Sequence, residues 1–194
     1  VIILGLTGSI GMGKSTAASA LRQMGVPVHD ADASVHHLMN HGGAAVGFVE
    51  AAFPGTAPGG AIDRKALGAR VYADPAALKR LESILHPMVR AQEQIFLRTA
   101  RARRHPVVVL DIPLLYETGG DKRCDAVIVV TAPKFLQDQR VLKRPGMTRQ
   151  RLNEILAKQM PDAEKRRRAD FVVQTGNGKR ATRQALARIL DRLK

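Results

Sequence analysis

The sequence predicts an α/β fold: a doubly wound, five-stranded parallel sheet carrying a helical insertion and a basic helical lid. Three observations predict it. The runs 107–110 and 126–130 are continuously apolar and rich in valine, the mark of strands buried on both faces. A third apolar run, residues 1–6, passes through glycines into a segment where Ala17, Ala20, Leu21 and Met24 recur at helical spacing. Residues 179–193 close the chain as an amphipathic helix, with Ala181, Ala185, Leu186, Ile189, Leu190 and Leu193 inward and Arg180, Arg183 and Arg188 outward.

The elements follow in order. Residues 1–6 form the first strand, and Gly25 ends the helix after it. Residues 26–30 read as a second short strand. Pro27 cannot donate to a ladder, so it lies at a sheet edge or at the strand's start. A helix begins near Asp32 or Ala33. Residues 44–53 read as helical, 54–60 as a Gly/Pro loop, and Asp63 as the cap of a helix through Leu67. A further helix covers 75–85, with Pro87 kinking or restarting it. Met88, Gln92, Ile95, Phe96 and Thr99 then form a mostly apolar stripe. Residues 107–111, 126–130 and 171–173 supply the remaining strands. The expected organisation is a core of 1–33, 105–132 and 169–194, a helical substrate-binding insertion of 34–104, and a basic lid of 133–168. An insertion there falls at the carboxyl ends of the strands, where open α/β sheets bind ligands.

At 194 residues the chain can bury such a core without staples. Its single cysteine, Cys124, makes no internal disulfide and lacks metal-ligand spacing, so a cytoplasmic protein is expected and a zinc module is not. The opening apolar run is too short for a signal or membrane segment. The formal charge is +14, and residues 134–168 hold half of that excess, with eleven Lys and Arg against four acidic residues. The stretch reads as a region closing over phosphates; the alternative is a solvated basic helical face. Nucleic acid is not expected as a partner, since aromatics are 4% of the chain and no recognition module is present. The six histidines show no metal spacing, and His36 and His37 border the second strand.

Gly8, Gly13, Lys14 and Ser15 satisfy the phosphate-loop pattern G-x-x-x-x-G-K-[ST], set between a strand and a helix as it must be. Gly8, Ser9, Ile10, Gly11, Met12 and Gly13 let backbone amides curl around phosphates. Lys14 reaches the β and γ phosphates, the Ser15 hydroxyl can hold Mg²⁺, and Thr16 continues the helix amino terminus. Past the second strand, Asp30 and Asp32 share a face of an extended chain. One can orient an attacking hydroxyl or hold Mg²⁺ while the other caps the following helix, and spacing alone leaves open which. Asp111 ends an apolar run, where a magnesium-shell carboxylate sits. Pro113 turns the chain out of the sheet, bringing Leu114 and Leu115 to the crevice mouth, where an organic part of a substrate can pack; the alternative is ordinary loop packing. Arg140 and Arg144, one helical turn apart, can clamp phosphoryl oxygens.

These blocks together resemble the dephospho-coenzyme A kinase family. The likeness rests on residues 5–15, Asp30-Ala31-Asp32, Leu85-His86-Pro87, residues 111–117, and Gln137 to Arg140 with Arg144, in the family's order over nearly the whole chain. It implies a sheet of the phosphate-loop nucleotide kinase type and transfer of the γ-phosphoryl of ATP to the ribose 3'-hydroxyl of dephospho-coenzyme A, with Mg²⁺. Asp32 matches the general base, Lys14 and Ser15 the phosphate and magnesium ligands, and Arg140 the arginine on the transferred phosphate. Thr7, His36, Arg64, His86, Leu114, Leu115 and Glu117 match the acceptor region. The family often has Asp-Asn after its last strand, near adenine; Gln174-Thr175-Gly176-Asn177-Gly178 departs from that, and Asn177 is the nearest match. A monomer is expected, with a small homo-oligomer as the alternative. The rival readings are another small-metabolite or nucleoside kinase, and a nucleic-acid-stimulated NTPase.

Overall fold

The computed structural model describes residues 1–72 and 74–193; Ala73, inside the expected insertion, and Lys194, at the end of the expected core, lie outside the described residues. Contacts divide the chain into two units, residues 1–29 with 100–194, and residues 30–99.

The first unit is built on the sheet. Strands β1 (Ile2–Thr7), β2 (Val28–Asp30), β3 (Val107–Asp111), β4 (Ala126–Thr131) and β5 (Phe171–Gln174) lie in the order β2-β3-β1-β4-β5. The sheet is parallel, as the apolar runs require. β1 is central, with β3 on one side, Leu6 beside Asp111, and β4 on the other, Thr7 beside Val129. The connection from β1 runs to β2 on one side, whereas that from β3 runs past β1 to β4 on the other, so the carboxyl ends of β1 and β3 flank a topological switch point, the place where such sheets bind ligands.

Helices α1 (Lys14–Gln23) and α9 (Gly178–Arg192) cover one face, joining Ala17, Leu21, Leu186 and Ile189 to Leu4, Leu6, Val109, Ile128 and Val130. On the other face Leu115, Tyr116, Val127 and Val129 pack with Ile112 and Met160. A 3-10 turn (Gly120–Arg123) precedes β4. The basic stretch forms α6 (Lys134–Leu142), α7 (Arg149–Ala157) and α8 (Asp162–Arg168), broken at Pro145-Gly146 and at Pro161. Contacts keep this stretch with the sheet, because Gln137, Val141, Leu152 and Lys165 are all buried there.

The second unit holds α2 (Ala31–Met39), α3 (Val46–Ala52), α4 (Arg64–Val71) and most of α5 (Pro75–Ala102). It has its own core, with Leu38, Met39, Val49, Phe53, Leu67, Leu81 and Leu85 among its members. Asp63 caps α4 by accepting from the Lys65 and Ala66 amides at 2.8 and 3.1 Å. The loop between α3 and α4 is tied by Glu50, which accepts from the Gly55 and Ala57 amides at 2.5 and 2.6 Å. Those bonds, Gly55's foremost, hold its carboxyl below the usual range against the opposing effect of desolvation. Pro87 neither ends nor restarts a helix: α5 runs 28 residues through it. Leu81, Leu85, Met88 and Val89 anchor both sides of the proline in one apolar cluster, and that packing outweighs the lost backbone bond. Among the described residues no helix is long and apolar enough to cross a membrane.

Candidate active site

The loop from residue 8 to residue 15 leaves β1 at the switch point and enters α1. Gly13 is the N-cap, with φ 89°, and a Cβ on it would come within 2.7 Å of Thr175 Oγ1. Only glycine satisfies both the left-handed backbone and the close approach. Gly8 is confined in another way, since its Cβ would lie 2.7 Å from the Val130 carbonyl oxygen. The amides of Lys14, Ser15 and Thr16 open α1 and have no partner one turn back, so they present donors and the positive end of the helix. Two other loop amides are engaged within the protein: Met12 N–H donates to the Ser9 carbonyl at 3.1 Å, and Ile10 N–H to Gln159 Oε1 at 3.1 Å. Ser9, Met12 and Thr7 are buried.

Lys14 Nζ lies 2.6 Å from Asp111 Oδ1, with the aspartate side chain 3% exposed and the lysine 17%. The strand register explains the pairing, because Asp111 sits beside Leu6 at the carboxyl end of β1. Beyond Asp111 the chain turns out. The Pro113 carbonyl accepts the Thr7 hydroxyl at 2.9 Å, Leu114 is exposed, and Leu115 is fully buried over Gly5. The two leucines therefore part company: Leu115 serves the core, and Leu114 faces solvent.

Glu117 is engaged by the protein itself. Its Oε1 lies 2.9 Å from Nζ of Lys165, a lysine with no exposed side-chain surface, and accepts from the Met160 amide at 2.8 Å. Lys165 Nζ also reaches the Pro113 carbonyl at 3.5 Å. Burial pushes the Glu117 carboxyl up, but the hydrogen bonds from Lys165 and Met160 outweigh it and hold the group below its ordinary value. A depressed folded-state value stabilises the fold above the unfolded pKa, about 4.3, and the contribution disappears as pH falls through the folded value. Glu117→Gln is therefore expected to lower Tm at neutral pH, with the gap to the parent protein narrowing below about pH 4. Thermal melts from pH 3 to pH 7 check this; a gap independent of pH would count against it.

Asp30 and Asp32 divide their tasks. Asp30 is the N-cap of α2, its carboxylate accepting from the Ala33 amide at 3.0 Å, whereas Asp32 is exposed and, among the described residues, forms no hydrogen bond or ion pair. His36 Nε2 and Arg64 Nη1 are 3.0 Å apart, and Arg64 also donates to Asn40 at 3.4 Å. His86 is exposed on α5.

Arg140 is docked on the loop, donating to the Gly11 carbonyl at 3.2 Å and to the Thr175 hydroxyl and carbonyl at 3.1 and 3.0 Å. Arg144 does not share a helical face with it, because α6 ends at Leu142 and the turn at Pro145-Gly146 carries Arg144 into solvent. Asn177 is the N-cap residue of α9, with no side-chain capping bond. A groove of about 520 Å³, lined by Ser15, Thr16, Ser19, Lys179, Arg180 and Arg183, runs between α1 and α9. Among the described residues no cluster of three or more His, Cys, Asp or Glu side chains is arranged to hold a metal.

Four residues of this site escaped sequence reasoning in their roles: Gln137, Gln159, Lys165 and Thr175. Lys165 sits in a run of cations that reads as solvated surface, and Thr175 in the loop that departs from the family pattern. For the two glutamines the signal available was position, at the start and end of the basic stretch.

The family profile described as Dephospho-CoA kinase matches residues 2–180. A dephospho-CoA kinase of Paramagnetospirillum magneticum is 68% identical over 164 residues, 84% of this chain and 77% of that protein. One of Mesorhizobium japonicum is 57% identical over 194 residues, all of this chain and 98% of the other. The solved dephospho-CoA kinase from Campylobacter jejuni superposes with a TM-score of 0.69 at 25% identity, covering 99% of this chain and 97% of that one. The chain belongs to the dephospho-CoA kinase family.

Proposed function

We propose that this chain transfers the γ-phosphoryl group of ATP to the ribose 3'-hydroxyl of dephospho-CoA, giving CoA and ADP. The observation that carries the proposal is a phosphate loop at the switch point of the sheet in a chain that matches dephospho-CoA kinases along nearly its whole length. The test is an assay of purified protein with ATP and a panel of hydroxyl and phosphate acceptors. Selective turnover of dephospho-CoA is expected. Turnover of a nucleoside with dephospho-CoA inert would overturn the proposal, as would ATP hydrolysis that needs DNA or RNA.

In this reading the amides of Gly11, Gly13, Lys14, Ser15 and Thr16 cradle the phosphates, and Lys14 exchanges Asp111 for the β and γ oxygens. Gly8, Ser9, Ile10 and Met12 shape the cradle. The groove beside Ser15 and Thr16 gives the donor room toward Lys179 and Arg180, and Asn177 precedes them in the chain as the N-cap residue of α9. Ser15, Asp111 and Asp32 offer hard oxygen donors, which suit Mg²⁺, and with so few of them the ion would take its remaining ligands from phosphates and water. Bound there, Mg²⁺ would neutralise charge on the transferring group. Asp32 accepts the proton of the attacking hydroxyl. His36, Arg64, His86 and Leu114 are the residues we assign to acceptor binding, and the buried or internally engaged Thr7, Leu115 and Glu117 support the turn that carries Leu114.

Residues 133–168 act as the lid, and closure excludes water that would otherwise hydrolyse ATP. Arg140 meets the phosphates from that side, and Arg144, exposed on the turn after α6, adds positive charge to the lid without sharing that position. Arg140→Met is expected to lower kcat roughly a hundredfold and to change acceptor KM by less than about threefold. Equal losses in both would assign Arg140 to general electrostatic attraction. We take the protein to act as a monomer in the cytoplasm, a reducing compartment that suits its lone free cysteine.

A further inference from the structure

The two peptides that flank Ile10, inside the phosphate loop, are each held by a glutamine from the basic stretch. Ile10 N–H donates to Gln159 Oε1 at 3.1 Å, and the Ile10 carbonyl accepts from Gln137 Nε2 at 2.8 Å. Gln137 lies on α6 and is 4% exposed; Gln159 follows the end of α7. Both feet of the intervening arch, residues 138–158, therefore stand on one residue of the loop. Arg140, within the arch, reaches the next carbonyl, that of Gly11.

Peptide orientation is easily lost at this point. Gly11 has φ 79°, and glycine with positive φ tolerates rotation of the neighbouring peptide planes better than any other residue. In a trans peptide the carbonyl and the N–H point in opposite directions, so fixing the Ile10 carbonyl on Gln137 also fixes the direction of the Gly11 N–H. A flipped peptide would turn a carbonyl where a donor should be. Side-chain type matters as well. A carboxylate at either position would repel a triphosphate, and a cation would pair with it; a neutral amide holds the peptide without doing either.

We propose that Gln137 and Gln159 are positioning residues that lock the phosphate loop to the basic stretch, so that the Gly11 amide and Arg140 meet the nucleotide phosphates in one fixed arrangement. The inference rests on reading the loop as the ATP cradle, and neither glutamine is required to touch ATP.

The test uses the full chain with Gln137→Met, Gln159→Met and the double substitution, reading ATP affinity by calorimetry and KM for both substrates by assay. Each single substitution removes one hydrogen bond at a part-buried peptide and should weaken ATP roughly tenfold. Because the two bonds hold one residue, the double variant should lose about ten- to thirtyfold, well short of the product of the singles. KM for dephospho-CoA should stay within about twofold, and Tm of the free protein within a few degrees. Losses that multiply independently, an equal rise in both KM values, or unchanged ATP affinity would each overturn the proposal. If a methionine variant fails to fold, the shorter Gln137→Asn and Gln159→Asn carry the same comparison. Calorimetry needs no acceptor, so a parent protein inert toward dephospho-CoA would sink the functional reading while the lock is still measured.

Discussion

Lys14→Met is expected to reduce turnover of ATP with dephospho-CoA by roughly a thousandfold, the loss typical of removing one preorganised charge from a developing phosphoryl transition state. Lys14 also has a structural role, since its ammonium lies 2.6 Å from the nearly buried Asp111 carboxylate. Withdrawing one partner of such a pair costs about 3 kcal/mol, so Tm should fall by several degrees as well. Lys14→Arg separates the two effects. Arginine keeps a cation for Asp111, so the melting temperature should recover in large part. Its broad planar fork does not replace a compact ammonium among phosphate oxygens, so turnover should stay at least about a hundredfold down. Recovery of turnover together with Tm would make Lys14 a clamp on Asp111 and remove it from the chemistry.

The parts of this fold that local patterning controls were legible in the chain. β3 and β4 are buried on both faces, so their composition needs no alternation to mark them, and Asp63 announces its helix because a carboxylate at that position satisfies orphan amides. Where tertiary contacts override local preference, reading along the chain loses its hold. Pro87 carries a strong local signal for a break, yet packing on both sides keeps α5 continuous. Arg144 shows the reverse, a local signal underweighted: a residue before proline is biased away from helix, so Pro145 already argued against a shared face with Arg140.

Within the candidate site the loop was legible because its chemistry is backbone chemistry, written in glycines. The division between Asp30 and Asp32 was not, since both fit a cap and a crevice. Nor was the separation of Leu114 from Leu115, because a turn after a strand has no period to say which side chain points inward. Lys165 was the least accessible. Its charge argues for water, and only the fold shows a carboxylate and a carbonyl within its reach.

The aspartate pair gives the cleanest mechanistic separation. Asp32→Asn is expected to lower kcat by about 10² to 10⁴, the range a positioned general base supplies, while ATP affinity changes less than about threefold. Stability should hardly move: among the described residues Asp32 has no hydrogen bond or ion pair to lose, and the charge it places in the first turn of α2 is worth only about 0.5 kcal/mol. Asp30→Ala should show the opposite pattern. It removes the N-cap bond to Ala33, costing about 1 kcal/mol of stability, with kcat within a fewfold of the parent protein. Single-turnover kinetics with saturating ATP, alongside thermal melts, measures both variants. An Asp32→Asn protein with unchanged turnover would remove that carboxylate from the mechanism. If ATP affinity in the presence of magnesium fell as far as kcat, Asp32 would be assigned to holding the donor and its metal instead of taking the proton. The expected split, a large kcat loss at Asp32 and a stability loss at Asp30, follows from one structural difference: one carboxylate is spent on a backbone amide, and its neighbour two residues on is left free to react.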